Sequence, residues 1–158
     1  MDSTYQLMLA DLLLSSNEPE KYRETALGLY KQAIARQPYN PFNHTRTGLL
    51  CRQMGRESDA EKEFRAAIEL EPRYAGSYVL LADLLASGGH NAEAALYYQR
   101  ALDIHAKAPQ GPVSAYVKAM VDINEAAVSE KLEKIWPGPY EFTPSPEPEG
   151  GGITPWPE

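Results

Sequence analysis

The chain has 158 residues, of which 43% are hydrophobic and 23% charged, a composition typical of a single soluble globular domain. It contains no run of ~18 apolar residues, so we expect no membrane insertion. Its net charge of −7 at pH 7 argues against nucleic-acid binding, which needs a dense basic surface.

Small and aromatic residues recur along the chain with a period of 34 residues. Each repeat has an alanine, an aromatic residue four positions later and a second alanine three positions after that. The three copies are Ala26, Tyr30 and Ala33; Ala60, Phe64 and Ala67; and Ala94, Tyr98 and Ala101. Self-similarity at this period predicts an all-α solenoid of antiparallel helix pairs, in which each unit buries its apolar face against its neighbours.

The first unit is predicted at about residues 3–40 and the second at about 41–74. In the first unit the two halves lie four residues further apart, and we place the extra residues in the turn around 17–21. Asn40 and Pro41 provide a helix N-cap and a first-turn proline for the second unit. Gly55 ends its first helix, and Ser58 with Glu61 forms a capping box for its second helix.

The third unit is predicted at about 75–108, with a helix stop at Gly88 and Gly89. A further helix over about 111–135 has apolar residues at three- and four-residue steps and ends at Trp136. We interpret it as a capping helix, because the end of a solenoid needs a polar outer surface. The alternative is that it is the first helix of a degenerate fourth unit. In either case we expect residues 1–135 to form one helical domain.

The last segment, 136–158, contains seven of the thirteen prolines, four acidic residues and no basic residue. We expect this tail to be extended or disordered, because its composition cannot bury enough apolar surface to offset its chain entropy. The simplest interpretation is a linker. Because aromatic residues are interspersed with the prolines, the alternative is that the tail occupies a groove of its own solenoid or of a neighbouring copy.

The three units together resemble the tetratricopeptide repeat (TPR) family, whose pattern is W-x2-L-G-x2-Y, then A-x3-F, then P. The third unit carries Tyr78, Leu81, Ala82 and Leu85 before its Ala94 and Tyr98 positions. The resemblance covers roughly residues 3–106 and departs from the pattern at Thr47, Cys51 and Ala106. It implies a right-handed superhelix whose first helices line a concave, partner-binding surface.

The resemblance also gives candidate partner-binding residues, because TPR proteins use particular positions of each first helix. Transferred to this chain, those positions are Leu7, Asp11, Phe42, Thr45, Leu49, Arg52, Gln53, Val79 and Asp83. We expect Arg52 to grip a carboxylate of the partner through its planar guanidinium group. The alternative is that Phe42 and Leu49 belong to the core and that Arg46 is only a solvated surface residue.

No catalytic, cofactor-binding or metal-binding constellation is present in the sequence. His44 and Cys51 are two helical turns apart, about 10 Å, too far for a base to activate a thiol. We therefore expect no enzyme and no cofactor, but an adaptor that binds a peptide or extended segment of another protein. The alternative is a self-assembling or regulatory subunit that uses the solenoid ends or the tail, with homo-oligomers as one outcome.

The cysteine content bears on the compartment. A single cysteine, Cys51, excludes an internal disulfide framework and favours a reducing environment. We therefore expect a cytoplasmic location, while a periplasmic one, or an origin as a fragment of a longer protein, stays open.

Overall fold

A computed structural model describes residues 3–109 and 114–136. Within these ranges the chain forms eight α-helices and no strand, which confirms the all-α prediction. They are α1 (Ser3–Leu14), α2 (Pro19–Arg36), α3 (Pro41–Gln53), α4 (Glu57–Leu70), α5 (Ala75–Ser87), α6 (Asn91–Ala106), α7 (Ala115–Val121) and α8 (Glu125–Ile135). None of these helices is long and apolar enough to cross a membrane. Except for Trp136, the predicted tail lies outside the described residues.

The helices stack as consecutive pairs. α1 packs on α2, α3 on α4, and α5 on α6, and these three interfaces are equally extensive. The second helix of each pair then contacts the first helix of the next, so α2 meets α3 and α4 meets α5. The units therefore form a continuous stack, as the repeat period predicts.

The periodic residues form the core of this stack. All six repeat alanines are completely buried, and Tyr30, Phe64 and Tyr98 are at most 4% exposed. Gly48 shows why small residues are needed between paired helices. A Cβ atom at Gly48 would lie 2.6 Å from Cε1 of the Phe64 ring, so a larger side chain would force α3 and α4 apart.

The helix ends follow most of the sequence signals. The Asn40 side chain accepts a hydrogen bond from the backbone N–H of Phe42 at the start of α3, as predicted. Gly55 and Gly89 adopt φ values of 72° and 81°, which favour glycine and end the first helices of their pairs. The capping role predicted for Ser58 is wrong. α4 begins one residue earlier, at Glu57, and no side chain caps it.

The four extra residues of the first unit also differ from the prediction. The α1–α2 turn is short, whereas α2 is 18 residues long, against 14 for α4. Ala26 is the eighth residue of α2, while its equivalent Ala60 is the fourth residue of α4. The insertion therefore adds one helical turn to the start of α2, where Pro19 is compatible with a first-turn position.

The C-terminal region contains two helices where a single helix over 111–135 was predicted. The oxygen of the Asn124 side chain accepts a hydrogen bond from the backbone N–H of Ala127 and so starts α8 as a separate helix. His105 bonds through Nδ1 to the carbonyl oxygen of Val121 at 2.8 Å, which ties the end of α7 to α6. α8 packs on α6 as α3 packs on α2, and thus stands where the first helix of a fourth unit would stand.

Candidate functional site

The first helices of the units lie next to one another and carry the predicted partner-binding residues. α3 touches α5, and the Thr45 and Ser77 hydroxyl groups are 3.3 Å apart. Arg46 of α3 forms an ion pair with Asp11 of α1. These contacts place α1, α3 and α5 side by side along one face of the stack, which we call the first-helix face.

Asp11 is bound within the protein. The Tyr30 hydroxyl group donates a hydrogen bond to Asp11 Oδ1 at 2.5 Å, and the Arg46 guanidinium group donates to Oδ2. Burial, together with the hydrogen bond to Asp11, raises the pKa of Tyr30 above its ordinary value, so the phenol stays a neutral donor. This carboxylate therefore links α1 to both α2 and α3.

Asp83 has the same arrangement two units further along. The Tyr98 hydroxyl group donates to Asp83 Oδ1, and Lys131 Nζ lies 2.8 Å and 2.9 Å from the two carboxylate oxygens. Lys131 belongs to α8 and plays the part that Arg46 of α3 plays towards Asp11. An aspartate, the tyrosine of the paired helix and a cation of the next unit thus form a repeated cross-link.

The middle unit replaces this cross-link with apolar residues. Leu49 stands at the position equivalent to Asp11 and Asp83, and Phe64 at the position equivalent to the two tyrosines. Leu49 is 36% exposed, whereas Phe64 is completely buried. The centre of the first-helix face therefore presents an exposed leucine between two carboxylates that are already hydrogen bonded.

Arg52 and Gln53 follow Leu49 on α3. Within the part of the chain that the structure describes, the Arg52 guanidinium group forms no hydrogen bond or ion pair. Its described electrostatic effect is on Tyr98. Gln53 is exposed at the last residue of α3. Leu49, Arg52 and Gln53 together combine an apolar contact, a cation and an amide within about one helical turn.

The other predicted residues are less accessible. Thr45 is only 5% exposed and donates a hydrogen bond to the carbonyl oxygen of Pro41, so it is part of the helix packing. Leu7 and Val79 are partly buried against the core. Phe42 packs against Tyr74, and their ring centroids are 5.0 Å apart. Whether any of the nine residues contacts a partner stays a prediction.

Two of the helix pairs match a known protein family. The tetratricopeptide repeat model matches residues 44–74 and 75–107, the second and third helix pairs. The chain contains tetratricopeptide repeats. Its fold is the right-handed α-solenoid of that family. Comparison of the sequence with curated proteins finds no significant match.

Solved TPR structures of low sequence identity share this fold. The first TPR of Spaghetti, bound to an HSP90 peptide, matches with a TM-score of 0.65 at 16% identity. The matched region covers 85% of this chain and 90% of the Spaghetti chain. The Yersinia enterocolitica type III secretion chaperone SycD, in complex with a peptide of the translocator YopD, has a TM-score of 0.66 at 17% identity, with 84% and 90% covered. The TPR2B domain of yeast Sti1, in a complex with pHsp70, has a TM-score of 0.63 at 14% identity, with 83% and 96% covered.

The cross-links include residues that are not among the predicted site residues. Tyr30, Tyr98 and Lys131 were not predicted to take part, and Arg46 was a solvated surface residue only in the alternative interpretation. A signal was present in the repeat alignment, because tyrosine accompanies aspartate in the first and third units while phenylalanine accompanies leucine in the second. Across the described residues, no cluster of three or more His, Cys, Asp or Glu side chains could hold a metal ion.

Proposed function

We propose that this TPR protein is an adaptor that binds a peptide or an extended segment of another protein on its first-helix face. The contact centre is Leu49, with Arg52 and Gln53 beside it. The preferred ligand has an apolar side chain next to a carboxylate, since arginine binds carboxylates through paired N–H donors. Asp11 and Asp83 contribute architecture rather than direct contacts.

One observation carries this proposal. The middle unit leaves Leu49 exposed, and Arg52 has no hydrogen-bonding partner within the described residues, whereas the charged residues of the flanking units are neutralised internally. Interfaces typically combine an apolar centre with polar groups at the rim. The peptide complexes of Spaghetti and SycD support the general mode of action, because those proteins bind peptides with a similar fold.

Peptide selection from a displayed library with the full chain would test this proposal. The chain offers a matched pair of leucines, because Leu96 on α6 is 39% exposed and lies on a second helix. Leu49→Glu and Arg52→Ala should each weaken binding of the selected peptide by about 30-fold, as expected for an interface anchor worth ~2 kcal/mol. Leu96→Glu should leave binding unchanged. Equal binding by the Leu49→Glu and wild-type chains would refute the assignment.

Self-assembly through the α1 end is a second candidate function, and the repeat equivalence favours it. Leu12 is 67% exposed, whereas its equivalents Leu50 and Leu84, on first helices that follow another unit, are 2% and 6% exposed. Tyr5, on the same side of α1, is 50% exposed. A second copy of the chain could cover this face without charge repulsion, because the two side chains are uncharged.

Molar mass as a function of concentration would test self-assembly. A chain that pairs through α1 should show a mass that rises with concentration, and Leu12→Glu should return it to the monomer. Leu96→Glu again provides the control for a new charge at an exposed leucine. A monomeric wild-type chain at all concentrations, or a dimer that survives Leu12→Glu, would exclude this function.

A further inference from the structure

A second surface feature lies at the joint between the first and second units. An open pocket of about 690 Å³, which we call the joint pocket, is formed by the end of α2, the start of α3 and α7. Its lining includes Arg36, Pro38, Tyr39, Pro41, Phe42 and Tyr116. Except for Phe42, these residues are not among the candidate partner-binding residues, so the pocket does not depend on the function proposed above.

Aromatic rings form the walls of the joint pocket. The Phe42 and Tyr116 rings meet edge to face, with centroids 6.0 Å apart and an angle of 83° between their planes. Tyr39 is 84% exposed and Tyr116 is 53% exposed. Exposed aromatic rings that converge on an open groove are the surface that recognises proline-rich segments, because a polyproline II helix packs its pyrrolidine rings between them.

The charge of the pocket limits the ligand further. Among the described lining residues, Arg36 is the one ionisable cation and none is a carboxylate. An acidic ligand is therefore favoured over a basic one, since charge complementarity suppresses the wrong partner. The ligand class is a proline-rich acidic segment.

The chain itself contains such a segment. Residues 137–158 include seven prolines, three of them alternating at 144, 146 and 148, together with four glutamates and no lysine or arginine. We propose that the joint pocket binds the chain's own segment 137–158 within the same molecule. The alternating prolines and Glu147 supply the rings and the charge that the pocket selects.

The tail is long enough to reach the pocket. Lys131 of α8 reaches Asp83 of α5, and α5 contacts α3, so two interhelical steps of ~10 Å separate α8 from α3. The length of α8 adds at most ~16 Å, and the path is therefore below ~40 Å. At the polyproline II rise of ~3.1 Å per residue, the 12 residues from Trp136 to Pro148 span roughly 37 Å, which equals this upper limit, so the alternating prolines can reach the pocket. Tethering favours binding within one molecule, because a short linker gives an effective concentration in the millimolar range.

A spin label on a Ser145→Cys variant of the full chain tests this proposal by NMR. Cys51 is 2% exposed and should remain unlabelled, so the label reports on the tail alone. The label should broaden the amide signals of Tyr39 and Tyr116. Tyr39→Ala should lower the ratio of bound to free tail about 10-fold, as expected for the loss of one aromatic anchor. The matched control is Leu96→Ala, which truncates an exposed apolar side chain on α6 outside the pocket and should leave the broadening unchanged.

Three results would overturn the proposal. The first is the absence of broadening around the pocket, and the second is broadening that persists in Tyr39→Ala. The third is equal broadening when spin-labelled chain is mixed with isotope-labelled chain that carries no spin label. The last result would mean that the tail binds another molecule. The amide spectrum of each variant shows directly whether the variant is folded. Because Tyr39 is exposed, we expect Tyr39→Ala to fold, so that lost broadening reports on tail binding.

Discussion

The packing of α3 on α4 predicts that the same substitution has opposite effects at two helical glycines. At Gly48, an added Cβ atom would lie 2.6 Å and 2.8 Å from two atoms of the Phe64 ring. Carbon atoms in ordinary contact are ~3.5–4.0 Å apart, so the helices or the ring must move by about 1 Å. The ring is completely buried, so it cannot move without displacing its neighbours.

Two effects decide the net free energy of Gly48→Ala. Alanine is favoured over glycine inside a helix by ~0.5–1 kcal/mol. Overpacking a close-packed core costs ~1–3 kcal/mol, and a clash this short lies towards the upper end. We therefore expect the free energy of unfolding to fall by about 1–2 kcal/mol and Tm to fall by several degrees.

Gly28 is the matched control. It is exposed on α2, and no atom lies within 4 Å of the position of an added Cβ. Gly28→Ala should therefore raise the free energy of unfolding by ~0.5–1 kcal/mol through helix propensity alone. Urea unfolding followed by circular dichroism would measure both variants, with equal m-values as the check that the unfolded states are comparable. A Gly48→Ala chain at least as stable as the wild type would refute the close-packing argument.

Three further predictions concern buried polar and reactive groups. Burial is the main cause of a raised pKa of the Cys51 thiol, and the charges of nearby carboxylates add to it. A thiol reagent should therefore label the native chain slowly and the urea-unfolded chain rapidly. Equally rapid labelling of both would contradict the burial of Cys51. Burial and the hydrogen bond to Asp83 raise the pKa of Tyr98, so the native state binds the hydroxyl proton of Tyr98 more tightly than the unfolded state does. The free energy of unfolding should therefore decrease above about pH 10. In Tyr98→Phe the slope of unfolding free energy against pH should be shallower by up to ~1.4 kcal/mol per unit, and an unchanged slope would exclude this contribution. Phe64→Tyr alone should lower the free energy of unfolding by ~1–3 kcal/mol, because it buries an unpaired hydroxyl group, and adding Leu49→Asp should recover most of that loss. Additive effects in a double-mutant cycle would show that the two side chains do not meet.

The sequence predicts the helix pairs well because their spacing depends on a few positions that must be small. Alanine at 26, 60 and 94 is completely buried, and a larger side chain at these positions would overpack the core. Local capping is harder to predict, since several residues near a helix end can start it. Asn124 divides the C-terminal segment into two helices although apolar residues continue across it, because its side chain offers the backbone an alternative hydrogen bond.

The candidate site is predicted less completely than the fold. Family positions identify Asp11 and Asp83 as residues of the first-helix face, but position alone does not show that each carboxylate is already bound by a tyrosine and a cation. Lys131 reaches Asp83 from α8, and the distance along the chain does not match the repeat period because α7 intervenes. Long-range pairs of this kind depend on how the last helices pack, which no local pattern specifies.

The difference between the units explains why we assign recognition to the middle of the first-helix face. For Asp11 or Asp83 to contact a partner, each carboxylate would have to give up hydrogen bonds that join neighbouring helices, and that loss would offset the gain from binding. Leu49 has no such internal bonds, and covering its exposed surface releases water without breaking a polar contact. Phe64, at the position equivalent to the two tyrosines, needs no hydroxyl partner, so the apolar centre is stable by itself. Arg52 then adds selectivity for a carboxylate at the edge of this centre, which Leu49 alone cannot provide.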